Sequence, residues 1–279
     1  IEDLSVKAKR QGWNGLMIAS LARGGRIIDR PDCVEAAAKA ADFILTHMSR
    51  DGRLLRTYRA GKAHTGGYLD DYAFFVGGLI ELYEATFEDR WLTQASRLTD
   101  DMITHFWDDA DGAFHFTAHD AEPLLVRTKD TRDSAIPSGN SVALMNLLRL
   151  GAMLDRKDYH AKAEATMRAF AGSVQRSPFG FDRFLAGVGW DHAPRQEVGI
   201  VGWRRDPDTQ ALLRAVNQVY DPWRVVLWTD ASAERATAVP LLAGKTPVNG
   251  RAAAYVCRNY TCRRPLTDAG ELIRELQAK

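Results

Sequence analysis

The chain predicts a mainly α protein: about half of an α/α toroid, followed by a small α/β lobe. Three observations carry this. Three helix-length segments are apolar nearly all round, and each is followed by a one-sided amphipathic segment. The alternation then stops near residue 190, where strand–helix–strand patterning takes over. The expected division is 1–190 for the toroid portion, with three helical hairpins, and 191–279 for the lobe.

The apolar segments run roughly over 13–22 (in "GWNGLMIASLAR"), 70–85 ("DDYAFFVGGLIELYEA") and 138–154 ("SGNSVALMNLLRLGAML"). A helix without a polar face has to be surrounded by protein, so these three form an inner layer. Their companions are one-sided. Trp91, Ala95, Leu98, Met102 and Phe106 recur at helical spacing, as do Tyr159, Ala163, Met167, Phe170 and Val174. Ala37, Ala40, Ala41, Ile44 and Leu45 give the first companion a flatter, alanine-rich face. Such helices cover the inner layer and face water. Between the pairs, "SRDGRLLRTYRAG" and "DDADGAFHFTA" carry Asp-Gly turn signals and strand-like alternation.

A closed six-hairpin barrel needs about twelve helices and roughly 300–400 residues. This chain supplies about half, plus a short seventh helix expected near 181–188. The barrel is then open, completed by missing upstream sequence or completed by another chain; missing sequence is the expectation, in line with a chain that begins with Ile1 rather than Met.

In the lobe, "EVGIVG" (197–202), "WRVVLWT" (223–229) and "GRAAAYVC" (250–257) read as strands. Segments 206–220 and 267–279 read as helices, the second with Asp268 and Glu271 at capping-box spacing. A strand–helix–strand crossover implies a parallel pair. No glycine-rich phosphate loop of the GxGxxG or GxxxxGK[ST] kind occurs.

Composition excludes some classes. Lys plus Arg number 37 against 36 acids, a formal charge of +1, which argues against a nucleic-acid or anionic-membrane partner. No apolar run approaches the ~20 residues of a bilayer span. Three scattered cysteines do not make a secreted disulfide framework, so a cytoplasmic location is expected. Cys257 and Cys262, in "CRNYTC", are expected to be buried structural thiols, with a redox pair as the alternative. No cofactor and no metal are expected.

The chemistry concentrates at the starts of the inner helices. Inner helices of a toroid run parallel, so "GWNG" (12–15), "HTGGYLDD" (64–71) and "IPSGNS" (136–141) should share one mouth. Helix N-termini, small residues and polar side chains suit a polyol or an anion. Trp13 and Tyr68 offer ring faces for the C–H side of a sugar, while Asn14, Ser138 and Asn140 offer hydrogen bonds. Asp70 and Asp71 are read either as helix caps or as site carboxylates. Their side chains diverge by about 100° around a helix of ~3.6 residues per turn. A glycosidase needs two carboxyl groups about 5–9.5 Å apart, and Asp133, Asp182 or missing sequence would have to supply the second. His64 is the candidate general acid or base, against a loop histidine bonded to backbone. His115 and Thr117 are expected on one face of a strand in "FHFTAH", which gives no zinc-helix pair with His119. Ser138 lacks a nucleophile-elbow pattern and reads as an N-cap.

Four stretches, "WNGLMIASLAR", "GYLDDYAFFVGGLIELYEATFEDRWL", "IPSGNSVALMNLLRL" and "AYVCRNYTCRRPLTD", together resemble the C-terminal region of one family. It comprises the thioredoxin-domain-containing proteins related to spermatogenesis-associated protein twenty. The resemblance spans essentially the whole chain. It implies an upstream thioredoxin-like domain as partner and a toroid similar to N-acylglucosamine 2-epimerases and six-hairpin glycosidases. The family implies architecture more firmly than chemistry, and no epimerase catalytic motif aligns with residues here.

The expectation is therefore a carbohydrate-active or carbohydrate-binding toroid taking a sugar or sugar-phosphate, with an epimerase or isomerase step as the reaction class. His64, Asp70 and Asp71 would be its catalytic groups, and Trp13, Asn14, Tyr68, Ser138 and Asn140 its binding groups. The alternatives are a non-catalytic interaction domain serving the thioredoxin-like domain and, more weakly, thiol redox work by Cys257 and Cys262.

Overall fold

The structure, a computed structural model, describes residues 9–230, 239–258 and 261–278. It divides into two compact units. The first holds the described residues up to Leu148 together with Asp158–Val188; the second holds Arg149–Lys157 and the described residues from Gly189 onward.

In the first unit the helices pair as hairpins: α1 (Gln11–Ile27) with α2 (Pro31–His47), and α3 (Leu69–Thr86) with α4 (Asp89–Phe106). They are followed by α5 (Gly139–Leu154), α6 (Lys157–Arg176) and α7 (Asp182–His192). Helix α3 is buried along nearly its whole length, as its lack of a polar face requires. Helix α4 buries Trp91, Ala95, Leu98, Met102 and Phe106 and turns its charges outward. In α6 the buried stripe is Tyr159, Ala163, Thr166 and Phe170, with Thr166 taking the place expected of Met167. Its hydroxyl returns to the Lys162 carbonyl at 2.9 Å, so a polar residue is tolerated there.

The inner helices α1, α3 and α5 run parallel and approach through small residues. A side chain at Gly15 would come within 2.7 Å of the Phe74 and Phe75 backbone, and one at Gly78 within 3.0 Å of the Gly15 carbonyl. Farther along, the Arg26 guanidinium meets the Glu84 carboxylate at 2.9 Å. On the other side of α3, Asn146 of α5 donates to the Ala73 carbonyl at 2.7 Å. A side chain at Gly139 would meet Leu69 at 2.9 Å. Contacts 12–71, 15–74, 26–84 and 139–69 advance together along the helices, which fixes their common direction.

A sheet closes the N-terminal end. Strand β3 (Arg53–Arg59) pairs antiparallel with β1 (Lys9–Arg10), β2 (Ser49–Arg50) and β4 (Lys62–Gly66). The segment "FHFTAH" corrects the strand expectation. It holds one isolated bridge, Trp107 with Phe114, because its backbone groups go to scattered partners. His115 N–H donates to Phe106, Phe116 N–H to Thr128, and His119 N–H to His105.

The second unit is a sheet of order β6-β5-β7-β8, made of β5 (Gln196–Val201), β6 (Arg224–Thr229), β7 (Ala253–Arg258) and β8 (Thr261–Cys262). Strands β5 and β6 are parallel, as the crossover through α8 (Pro207–Gln218) requires. Strand β7 is antiparallel to β5. Helix α9 (Ala269–Gln277) packs against α8, and its N-cap Asp268 accepts from Glu271 N–H at 2.8 Å. Buried Gln196 and Arg224 tie sheet to helices: Gln196 donates to the Leu276 carbonyl, and Arg224 to those of Val216 and Val219.

The pair expected as buried free thiols is a disulfide, Cys257–Cys262. Register sets the two cysteines opposite each other on β7 and β8, with Cys257 buried and Cys262 exposed. Asn259 and Tyr260 of "CRNYTC" lie outside the described residues, as do Ile1 and Lys279.

Candidate functional site

The N-termini of α1, α3 and α5 meet at one end of the first unit. Asp71, in the first turn of α3, is 1% exposed and holds this end together. Its carboxylate accepts from the backbone N–H of Gly12 at the start of α1 (2.9 Å) and from Tyr68 N–H (2.9 Å). The Arg56 guanidinium stands 3.0 Å from Asp71 and 3.3 Å from Asp70. One cation thus bridges two side chains that leave the helix in different directions. Arg56 also lies over the Tyr68 ring, 4.4 Å from its centroid. Arg56 is not among the residues expected at the mouth; its signal is the period of β3, which puts it on the same strand face as buried Leu54.

Burial, and then the charge of Asp70, raise the Asp71 carboxyl from its ordinary 3.8 to about 6, although Arg56 and two N–H donors favour the anion. Asp130 is likewise raised, chiefly by burial, with Asp70 and Asp133 adding to it. Asp70, partly open at 18% side-chain exposure, is the more accessible carboxylate of the adjacent pair.

Asp133 is spent on backbone groups. One oxygen accepts from Ser138 N–H at 2.8 Å, the other from Arg183 and Phe184 at the start of α7. Asp182 opens α7 at its exposed start and is not among these partners. Ser138 caps α5: its hydroxyl accepts from Ser141 N–H at 3.1 Å, and it is buried. Asn140 is fully buried. It accepts from Phe114 N–H and donates to the Phe114 and Asp130 carbonyls, all at 2.8–2.9 Å. Both side chains therefore face protein partners. Trp13 lies on the open side of α1, 64% exposed, and Asn14 beside it is half-buried.

His64 sits on β4, in register with Thr57, and not in a loop. It lines a separate cavity with His47 and Lys62 and is not a partner of either aspartate. The mouth therefore brings together Asp70, Asp71 and Tyr68 from the expected set and adds Arg56 and Asp130.

The comparisons fix the class first. A GH76 alpha-mannanase from Bacteroides thetaiotaomicron superposes on 60% of this chain and 45% of its own, with a TM-score of 0.52 and 16% identity. This likeness shows the fold, an α/α toroid. A cellobiose 2-epimerase from Bacillus thermoamylovorans covers the same 60% at a TM-score of 0.49 and 14% identity. Among curated sequences, spermatogenesis-associated protein 20 of Homo sapiens is 35% identical over 273 residues. That alignment takes in 93% of this chain and 35% of the relative, so the two are homologous. The chain thus spans about a third of the length of the relatives it matches. No family model matches it. Among the described residues no helix is long and apolar enough to cross a membrane.

Proposed function

We propose that this chain is the saccharide-handling toroid portion of a longer protein, with its site at the joined N-termini of α1, α3 and α5. The observation that carries this is the mouth itself: a partly open carboxylate, Asp70, shares the Arg56 guanidinium with buried Asp71, and Tyr68 lies beneath that guanidinium. Carboxylates and guanidinium groups hold hydroxyls through charge-assisted hydrogen bonds, and the Tyr68 ring holds the guanidinium in place. The toroid of the named mannanase, a carbohydrate-active enzyme, supports the same substrate class.

Within this reading Asp70 contacts the ligand, while Asp71 positions Arg56 and the start of α1. An epimerase or isomerase step needs a proton carrier that reaches the ligand, and Asp70 is the accessible carboxylate of the pair. The histidine expected in that role does not stand at the mouth. Calorimetry of the chain with mannose, glucose and their β-linked disaccharides tests the proposal. Saturable binding that is lost in Asp70→Asn and Tyr68→Ala, with folding intact, supports it; no binding, or binding indifferent to both changes, refutes it.

A second reading, an interaction domain serving an upstream thioredoxin-like domain, is favoured by one observation. Trp13 and Met17, one turn apart on α1, are both exposed apolar side chains. Binding of a separately produced thioredoxin-like domain, abolished by Trp13→Ser with Met17→Ser, would establish it.

A further inference from the structure

A second concavity of about 410 Å³ lies outside the helix mouth, between the end of α2, strand β2 and the β3–β4 hairpin. Its volume is within the roughly 300–1,000 Å³ of small-molecule sites. Its polar walls are His47, Ser49, Arg50, Lys62, His64 and Thr65, and no Asp or Glu lines it.

The cations here differ from their neighbours. Arg53 is matched by Asp120, Arg56 by Asp70 and Asp71, and Arg97 by Asp101. Among the described residues, neither Arg50 nor Lys62 has an ion-pair partner, and no side-chain hydrogen bond is made by Arg50, Lys62 or the His64 ring. Two like charges held in one concavity repel, and an anion between them removes that repulsion. Ser49 and Thr65 add hydroxyl donors. Thr65 has φ 62°, a left-handed conformation that a β-branched residue rarely adopts. The β3–β4 register runs through Leu55–Gly66 and Thr57–His64 but omits the Arg56–Thr65 pair between them. Strain at a residue lining a cavity is the kind that accompanies binding sites.

Leu55 and Thr65 also line an adjoining cavity of about 480 Å³ that reaches Tyr68. We propose that the Arg50–Lys62 cavity binds a phosphate dianion, free or as the monoester of a small polyol whose organic part extends toward Tyr68. Phosphate binding stands independently of the saccharide reading; only the polyol part rests on it.

Calorimetry of the chain at low ionic strength, with inorganic phosphate, glucose 6-phosphate and glucose, tests this. Inorganic phosphate and glucose 6-phosphate should bind saturably. Their affinity should fall at least tenfold in Arg50→Gln/Lys62→Gln and stay unchanged in a control pair, Arg23→Gln/Arg214→Gln, with thermal unfolding confirming that every variant folds. Glucose 6-phosphate should bind more tightly than inorganic phosphate. Phosphate binding with no binding of mannose, glucose or their β-linked disaccharides supports this site while removing the saccharide reading of the mouth. Absence of phosphate binding, or equal losses in the control pair, overturns the proposal. So does co-sedimentation with phosphatidic acid vesicles, lost in Arg50→Gln/Lys62→Gln, without binding of the soluble phosphates; it would assign the patch to a membrane surface.

Discussion

The backbone N–H of Gly12 donates to the buried carboxylate of Asp71 at 2.9 Å, across 59 positions of sequence. This bond joins the start of α1 to the start of α3. It makes Asp71 part of the frame of the mouth and leaves Asp70 as the more accessible acid beside it.

The Asp71 carboxyl sets a pH dependence of stability. Its folded value, about 6, lies above its ordinary 3.8. Between those values the folded chain binds more protons than the unfolded one, so this group's contribution falls as pH rises from about 4 to 6 and then levels. Two units correspond to about 3 kcal/mol. Urea unfolding from pH 4.5 to 7.5 should give a flatter profile for Asp71→Asn than for the wild type. Parallel profiles would refute the assignment.

The close approach of α1 and α3 depends on glycine at position 15. A β-carbon there would lie 2.7 Å from the α3 backbone, which a flexible side chain cannot relieve. Gly15→Ala should cost at least about 3 kcal/mol, the upper end for overpacking. Gly24, on the same helix, has nothing within 4 Å of that position. Gly24→Ala should be neutral or stabilise by up to about 1 kcal/mol through helix propensity. Chemical denaturation of the two variants provides the comparison.

Asn140 clamps the segment before α5. Its amide satisfies Phe114 N–H and two carbonyls in a buried setting. Asn140→Ala leaves buried backbone groups unpaired, at about 1–3 kcal/mol each. Asn140→Asp keeps the acceptor but turns a carboxylate oxygen toward the two carbonyls, so it should not rescue. Hydrogen exchange at the Phe114 amide should accelerate in both variants.

The cysteines give a simple count. Cys33 is the free thiol, and Cys257 with Cys262 forms the disulfide. Thiol titration of the denatured chain should find one group without reductant and three with it. Cys262→Ser should cost about 2 kcal/mol, the loop-closure value for so short a ring. Three titrating groups before reduction would show that the bond does not form.

Local pattern made much of this fold legible. The absence of a polar face on 70–85 is a property of the residues themselves, and it placed α3 inside. The spacing of Trp91, Ala95 and Leu98 named the buried side of α4, and Asp268 with Glu271 marked the start of α9. The α8 crossover between two apolar runs required the parallel pair β5–β6. Such features are set by local spacing or by the order of consecutive elements, so sequence alone displays them.

What escaped the sequence is contact across long separations. His64 reads as a mouth residue because it is six positions from Asp70, yet β4 pairing carries it to another cavity beside Lys62. Asn140 and Ser138 look like ligands until Phe114, Asp130 and Ser141 are found to occupy their polar atoms. The sequence determined that three apolar helices begin with polar residues. Only the tertiary structure decided which of those residues are spent holding the helices together and which remain open, because hydrogen-bond partners are allotted by packing.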